Sequence, residues 1–128
     1  MKLLILQPSE IFLDTPVSKV VGEGPAGSFA ILPRHIDMAT ALVPGIMTYE
    51  SDRGKENFLA LDSGILVKQG EQVRVATRMA IRGELGVLRK EVEHMINEVD
   101  DREKMTRSAV ARLEASFVRR FMEFGTNV

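Results

Sequence analysis

The chain has no cysteine among its 128 residues. Disulfides, thiolate metal sites and a cysteine nucleophile are therefore excluded. It also lacks any strong charge of one sign: 17 basic against 18 acidic residues leave a formal net charge of −1. No global field draws it to nucleic acid or to an anionic membrane. Long apolar runs are missing as well. The first, Leu3 to Leu6, stops at Gln7-Pro8, too short for a signal-peptide core and followed by no small-residue cleavage site. Nothing approaches the roughly 20 apolar residues of a membrane span. A cytoplasmic location is the expectation.

Proline is absent from most of the chain. All five prolines lie at or before Pro44, and neither proline nor glycine occurs between Gly86 and Gly125. The chain changes character near Arg82-Gly83. The length suits one compact domain, or a small domain with an appendage.

The first part reads as short strands: Leu3 to Leu6, Ile11 to Leu13, Val17 to Val21 (continuing the second strand or starting a third), Phe29 to Leu32 and Ala39 to Val43. Ile46 to Tyr49, Phe58 to Leu61, Ile65 to Val67 and Gln72 to Thr77 follow. Pro33 lacks an amide hydrogen and should end its strand. Pro44-Gly45 suits a type II turn. Ser51-Asp52-Arg53-Gly54 and Asp62-Ser63-Gly64 read as tight turns. Many short strands with close turn signals predict an antiparallel sandwich or barrel. The expected core is Leu4, Leu6, Val20, Phe29, Ile31, Leu42, Ile46, Leu59, Leu61, Leu66, Val73 and Val75.

The second part reads as two helices. Leu85, Leu88, Val92, Met95 and Val99 recur at spacings of three and four, one face of a helix. Asp100-Asp101-Arg102-Glu103 offers an N-cap with Glu103 in capping-box position. Met105, Ala109, Leu113, Phe117 and Phe121 then recur every four residues. The short connection predicts an antiparallel hairpin that packs on the sandwich or on a partner. The fold class expected is thus an N-terminal antiparallel β-sandwich, residues 1–82, followed by a C-terminal two-helix hairpin, residues 83–128.

No catalytic constellation is legible. A Gly-x-x-x-x-Gly-Lys-(Ser/Thr) phosphate loop is absent. His35 with Asp37 is too sparse for a metal site, which needs three or four ligands. Ser63 has no histidine nearby in sequence and no Gly-x-Ser-x-Gly elbow. The residues by themselves predict a noncatalytic interaction protein. A small enzyme whose site is completed by oligomerisation is the other class, disfavoured by the missing nucleophile and metal signatures.

Five stretches carry a family resemblance: Gly27-Ser28-Phe29-Ala30-Ile31-Leu32-Pro33-Arg34-His35, Leu42-Val43-Pro44-Gly45-Ile46, Phe58 to Leu66 with its Asp62-Ser63-Gly64 turn, Gln72 to Ala76, and Ala80-Ile81-Arg82-Gly83. In this order and spacing the chain resembles the epsilon subunit of rotary F-type ATP synthases over almost its whole length. The resemblance implies a noncatalytic rotor component of the central stalk. Its partners would be the gamma subunit and the membrane ring of c subunits, with alpha and beta subunits met transiently and no nucleic acid. It would sit peripherally at the cytoplasmic face of the bacterial inner membrane, coupling ion flow to ATP chemistry on the beta subunits. A free-standing adaptor with the same fold is the alternative.

By position, Ser28, Arg34 and His35 are the implied ring or stalk contacts, with Ser63 a further candidate; a locally hydrogen-bonded loop histidine is the other reading of His35. In many relatives the C-terminal helices extend and block ATP hydrolysis. Here Arg107, Arg112, Arg119 and Arg120 are the candidate cations for such a contact, against the alternative of a solvated face interspersed with Glu103, Glu114 and Glu123. Some relatives bind regulatory ATP through an Ile/Leu-Asp-x-x-Arg-Ala word. The matching stretch keeps Arg89 but has Gly86 for the aspartate and Lys90 for the alanine, so no cofactor and no metal are expected. Ala26 and Ser28 replace frequent acidic residues, and Arg34 replaces a glycine. These departures point to a divergent branch, such as the second-set ATPases of some bacteria, including sodium-linked ones.

Overall fold

A computed structural model describes the backbone of residues 1–126 and the side chains of residues 1–115 and 119. Nine strands and one helix occur among the described residues: β1 Lys2–Gln7, β2 Glu10–Gly24, β3 Gly27–Ile31, β4 Met38–Leu42, β5 Gly45–Ser51, β6 Glu56–Leu61, β7 Gly64–Gln69, β8 Gln72–Thr77, β9 Ala80–Arg82 and α1 Leu85–Thr126. The chain divides into two compact units, Met1–Met95 and Ile96–Val128.

The first unit is a β-sandwich. One sheet runs β4-β7-β8-β1-β2, and the other carries β3, β2, β5, β6 and β9. Strand β2 belongs to both. Its first half pairs with β1 as far as Pro16, and its second half pairs with β3 and β5 from Val17 onward. Pro16 therefore sits at the crossover, beside an irregularity between Val17 and Lys19, where a missing amide donor costs no central ladder bond. The pairs are antiparallel except β1 with β8, which is parallel. As the proline predicts, β3 ends before Pro33.

The core lies between the sheets. Leu3, Ile5, Val17, Val20, Ile31, Leu42, Met47, Leu59, Leu61, Leu66, Val73 and Val75 are buried there. Four expected positions differ. Leu3 and Ile5 point inward in place of Leu4 and Leu6. An unbroken apolar run carries no parity of its own; the register does, because Leu3 pairs with Val73 and Ile5 with Val75 of the cleanly alternating β8. Met47 replaces Ile46 for the same reason. Met47 pairs with Leu59 on the sandwich side, while Ile46 pairs with Ala60 on the opposite face. Phe29 is only half-buried.

That opposite face holds a second core. Ala60, Leu88 and Met95 are buried together, with Ile46, Phe58, Met79, Ile81 and Val92 around them. The start of α1 packs on the outer side of β5, β6 and β9. This is why Leu59, Ala60 and Leu61 are all buried: β6 is covered on both faces. The first intrahelical bond runs from Leu88 N–H to the Glu84 carbonyl (3.0 Å).

Two expectations are corrected. Residues 85–126 form one continuous helix, not a hairpin with a break near Asp100. Nothing in that stretch breaks a helix, since no glycine or proline interrupts it. An exposed i,i+4 ion pair, Glu98 to Arg102 (3.7 Å), spans the expected break, and Glu103 to Arg107 (3.9 Å) follows. The polar residues there are compatible with a helix facing water. Pro44-Gly45 is not a type II turn either, because Gly45 is not among the glycines of positive φ. Its glycine serves a close approach: a Cβ there would lie 2.7 Å from Glu23 Cγ.

Candidate functional site

The first candidate surface is the loop between β3 and β4. The His35 N–H donates to the Leu32 carbonyl (2.9 Å), closing a turn around Pro33 and Arg34. The His35 ring is held locally, with Nδ1 bonded to the Ile36 carbonyl (2.8 Å). Arg34 is exposed. Leu32 and Ile36 beside it are large apolar residues left 54% and 78% exposed.

The loop is fastened from β7. Lys68 is 3% exposed, and its Nζ donates to the His35 carbonyl and lies 3.9 Å from Asp37 Oδ1. Asp37 Oδ1 also accepts the Gly70 N–H (2.8 Å) in the β7–β8 turn, where Gly70 has a φ of 57° that a side chain would strain. Sequence reasoning did not single out Lys68. Its signal was parity: it stands two residues after the inward Leu66, so strand alternation carries it inward.

The second surface is the β6–β7 turn. Asp62 is 2% exposed. Its carboxylate accepts the Ser63 N–H (2.8 Å) and pairs with Arg78 (3.0 Å), while its own N–H donates to the Met79 carbonyl (3.0 Å). Thr77 Oγ1 closes the other side on the Asp62 carbonyl (3.0 Å). Ser63 is exposed on this braced turn. It borders an open, mostly apolar groove of about 400 Å³ between Pro8, Ile65, Ala76 and Arg78.

These two surfaces are at opposite ends of the sheet. Lys68 pairs with Met38 at one end of β7, and Gly64 pairs with Leu42 at the other. A six-residue strand rises about 17 Å. Ser28 belongs with the Ser63 end: it pairs with Glu23, whose carbonyl accepts the Val43 N–H (3.1 Å) just beyond Leu42. Ser28 Oγ donates to Glu23 Oε1 (2.8 Å), so a local acid already occupies that hydroxyl. The structure therefore brings Arg34 and His35 together and separates them from Ser28 and Ser63.

Arg89 is exposed near the start of α1, and Gly86 has open space around it. In the second unit Arg107, Arg112 and Arg119 are exposed; Arg107 pairs with Glu103. Met105, Val110 and Leu113 are exposed at 73%, 47% and 71%. The Arg120 side chain lies outside the described residues, as do those of Phe117 and Phe121. Among the described residues no group of three or more acidic or histidine side chains is gathered for a metal ion, and no helix is long and apolar enough to cross a membrane.

Residues 1–83 match the profile of the ATP synthase, Delta/Epsilon chain, β-sandwich domain. The chain is 28% identical over 127 residues to the ATP synthase epsilon chain 2 of Paraburkholderia xenovorans, covering 97% of this chain and 91% of that one. It is 29% identical to the epsilon chain of a Sulfurovum species over 119 residues, 89% of this chain and 93% of the relative. Among solved structures, a chain of the Euglena gracilis mitochondrial ATP synthase superposes with a TM-score of 0.61 at 23% identity, over 72% of this chain and 61% of that one. A chain from the central stalk and c-ring of the Tetrahymena thermophila mitochondrial ATP synthase gives 0.54 at 11% identity, over 64% and 66%. This chain thus spans under two thirds of the solved chains' length, and the shared part is the fold. The matched profile coincides with the strands just described, the full-length relatives are epsilon chains, and the chain belongs to the ATP synthase Delta/Epsilon chain family as one of its epsilon chains.

Proposed function

We propose that this chain is a noncatalytic rotor subunit of the central stalk of a rotary ATP synthase. Residues 1–82 would bind the gamma subunit and the c-subunit ring, and residues 83–128 would act in regulation. The observation that supports this is family membership over the whole sandwich, together with a sandwich that presents two braced, exposed loop ends. Arg34 and His35 at one end, and Ser28 and Ser63 at the other, are separate contact points in this reading. The bonds through Lys68, Asp37, Asp62 and Thr77 brace these two ends, which suits a body that has to transmit torque between partners. The catalytic nucleotide chemistry belongs to other subunits. The subunit then sits at the membrane through its partners, on the cytoplasmic face of a bacterial membrane. Co-purification of tagged full-length chain with alpha, beta, gamma and c subunits tests it; recovery of the chain alone supports the free-standing adaptor instead.

The helix is read as the regulatory part. Its supporting observation is the exposed apolar residues Met105, Val110 and Leu113 interleaved with Arg107 and Arg112. Met105 and Leu113 lie toward one side of the helix, open to a partner. In this reading the helix has two states, the continuous one and one folded back near Asp100. The continuous state places the arginines against acidic segments of the catalytic subunits and slows hydrolysis. A chain ended after Asn97 keeps the buried Leu88 and Met95 and removes this surface. Complexes carrying it should hydrolyse ATP severalfold faster than those with the full chain. Equal rates in a coupled complex would leave the helix as a structural cover. The resemblance to an epsilon chain numbered 2 supports the second-set branch; sodium-dependent hydrolysis would establish the sodium-linked form, and purely proton-coupled turnover would remove it.

A further inference from the structure

Lys68 stands where an apolar residue would be cheaper. It occupies an inward position of β7, between Met38 and Val73 in register, and is almost fully buried. Burying an ammonium group costs strongly unless it is paired, and taking one partner from an ion pair is costly when the other is left buried without it. Here the partner Asp37 is 64% exposed, so an apolar residue at position 68 would strand no buried charge. What the ammonium adds is direction: it reaches the His35 carbonyl and the Asp37 carboxylate. Asp37 in turn holds the Gly70 N–H.

The two fastened residues bracket Ile36. Anchoring His35 on one side and Asp37 on the other leaves Ile36 projecting, the most exposed large apolar side chain among those described in the sandwich. Leu32 and Arg34 project from the same loop. An exposed apolar side chain gains nothing from water, and the bonds at His35 and Asp37 tie down both neighbours of Ile36. Holding it out with a buried charge makes sense for a preformed contact, because ordering the loop beforehand removes that entropy loss from binding.

We propose that Lys68, with Asp37, is a positioning residue that preorganises the Leu32–Asp37 loop as a docking tip. The tip fits a partner surface with an apolar recess for Ile36 and a carboxylate at its rim for Arg34. The proposal rests on the reading above that this loop is a partner contact, and the two fail separately. The test uses full-length chain and an ATP synthase complex stripped of it, with affinity measured by titration and stability by denaturant unfolding. Lys68→Met should bind about tenfold more weakly while unfolding at the same or a higher denaturant concentration. In a background carrying Arg34→Ala and Ile36→Ala, the same substitution should change affinity less than about twofold, because the tip it positions is gone. Asp37→Ala, at an exposed position, gives a second variant should Lys68→Met not fold; it too should weaken binding, with faster amide exchange at His35 and Gly70 and none in β1 or β8.

Unchanged affinity of Lys68→Met or Asp37→Ala, with the Arg34→Ala, Ile36→Ala chain weakened, would reject the positioning role and keep the contact. Equal losses in both backgrounds would make Lys68 a stability residue only. Unchanged affinity of the Arg34→Ala, Ile36→Ala chain would reject the contact itself and the proposal with it.

Discussion

At position 64 one methyl group decides whether β7 can lie against β8. A Cβ on Gly64 would stand 2.1 Å from the Ala76 carbonyl oxygen, a backbone atom that cannot step aside. Gly64→Ala should cost about 2–4 kcal/mol, by the strain that overpacking brings, read as a lower denaturant midpoint at constant slope. Gly86 is the opposite case: its Cβ would meet nothing within 4 Å, and it sits in the first turn of a helix. Gly86→Ala should stabilise by about 0.5–1 kcal/mol. Asp62 is read the same way. Asp62→Ala strands the Ser63 N–H and leaves half-exposed Arg78 without its carboxylate, so a loss of about 1–3 kcal/mol is expected. The turn at Asp62-Ser63-Gly64 was legible in the sequence because small polar residues and glycine mark turns. Its bracing was not, since Thr77 at the end of β8 and Arg78 just after it lie fourteen or more residues away, and only the register brings them together. Leu3 and Ile5 teach the same lesson, because their parity is set by β8 and not by their own run.

At the scale of elements, α1 has two chemically different parts. Its first turns are core. Leu88 and Met95 are buried against Ala60, and the spacing of Leu85, Leu88, Val92 and Met95 announced that face directly. Leu88→Ala or Met95→Ala should each cost about 2–5 kcal/mol. Leu113, 71% exposed, should lose less than about 0.5 kcal/mol on the same change; thermal or denaturant unfolding of the three variants checks the contrast. The second stripe was equally legible as a period but not as a destination. Periodicity reports which residues share a face, and it is silent on whether the chain turns back. The polar stretch from Asn97 to Asp101 satisfied the rule for a helix start and, with its ion pairs, the rule for a helix middle. Strand β2 carries a comparable ambiguity: Pro16 reads as a break, and the structure uses it as the point where one strand changes sheets.

For the molecule as a whole, the sandwich was readable because most of its strands are short and need punctuation, and proline, glycine and aspartate supply it. The candidate surface was half readable. Arg34 and His35 stood out as charge after a strand-ending proline, whereas the buried lysine that holds them did not, because a lone lysine reads as surface until alternation places it. The functional account joins these scales: residues that brace two loop ends, a helix whose early turns pack and whose later apolar residues face water, and a fold shared with epsilon chains. Its central claim is that the chain couples a rotary motor without doing chemistry. The most direct measurement is ion-driven ATP synthesis by membrane vesicles bearing the complex, stripped of this chain and then resupplied with it. The account predicts that synthesis falls on stripping and returns in proportion to the chain added back, while the purified chain alone hydrolyses no ATP. Synthesis that persists unchanged without the chain, or a chain that does not rebind, would contradict it.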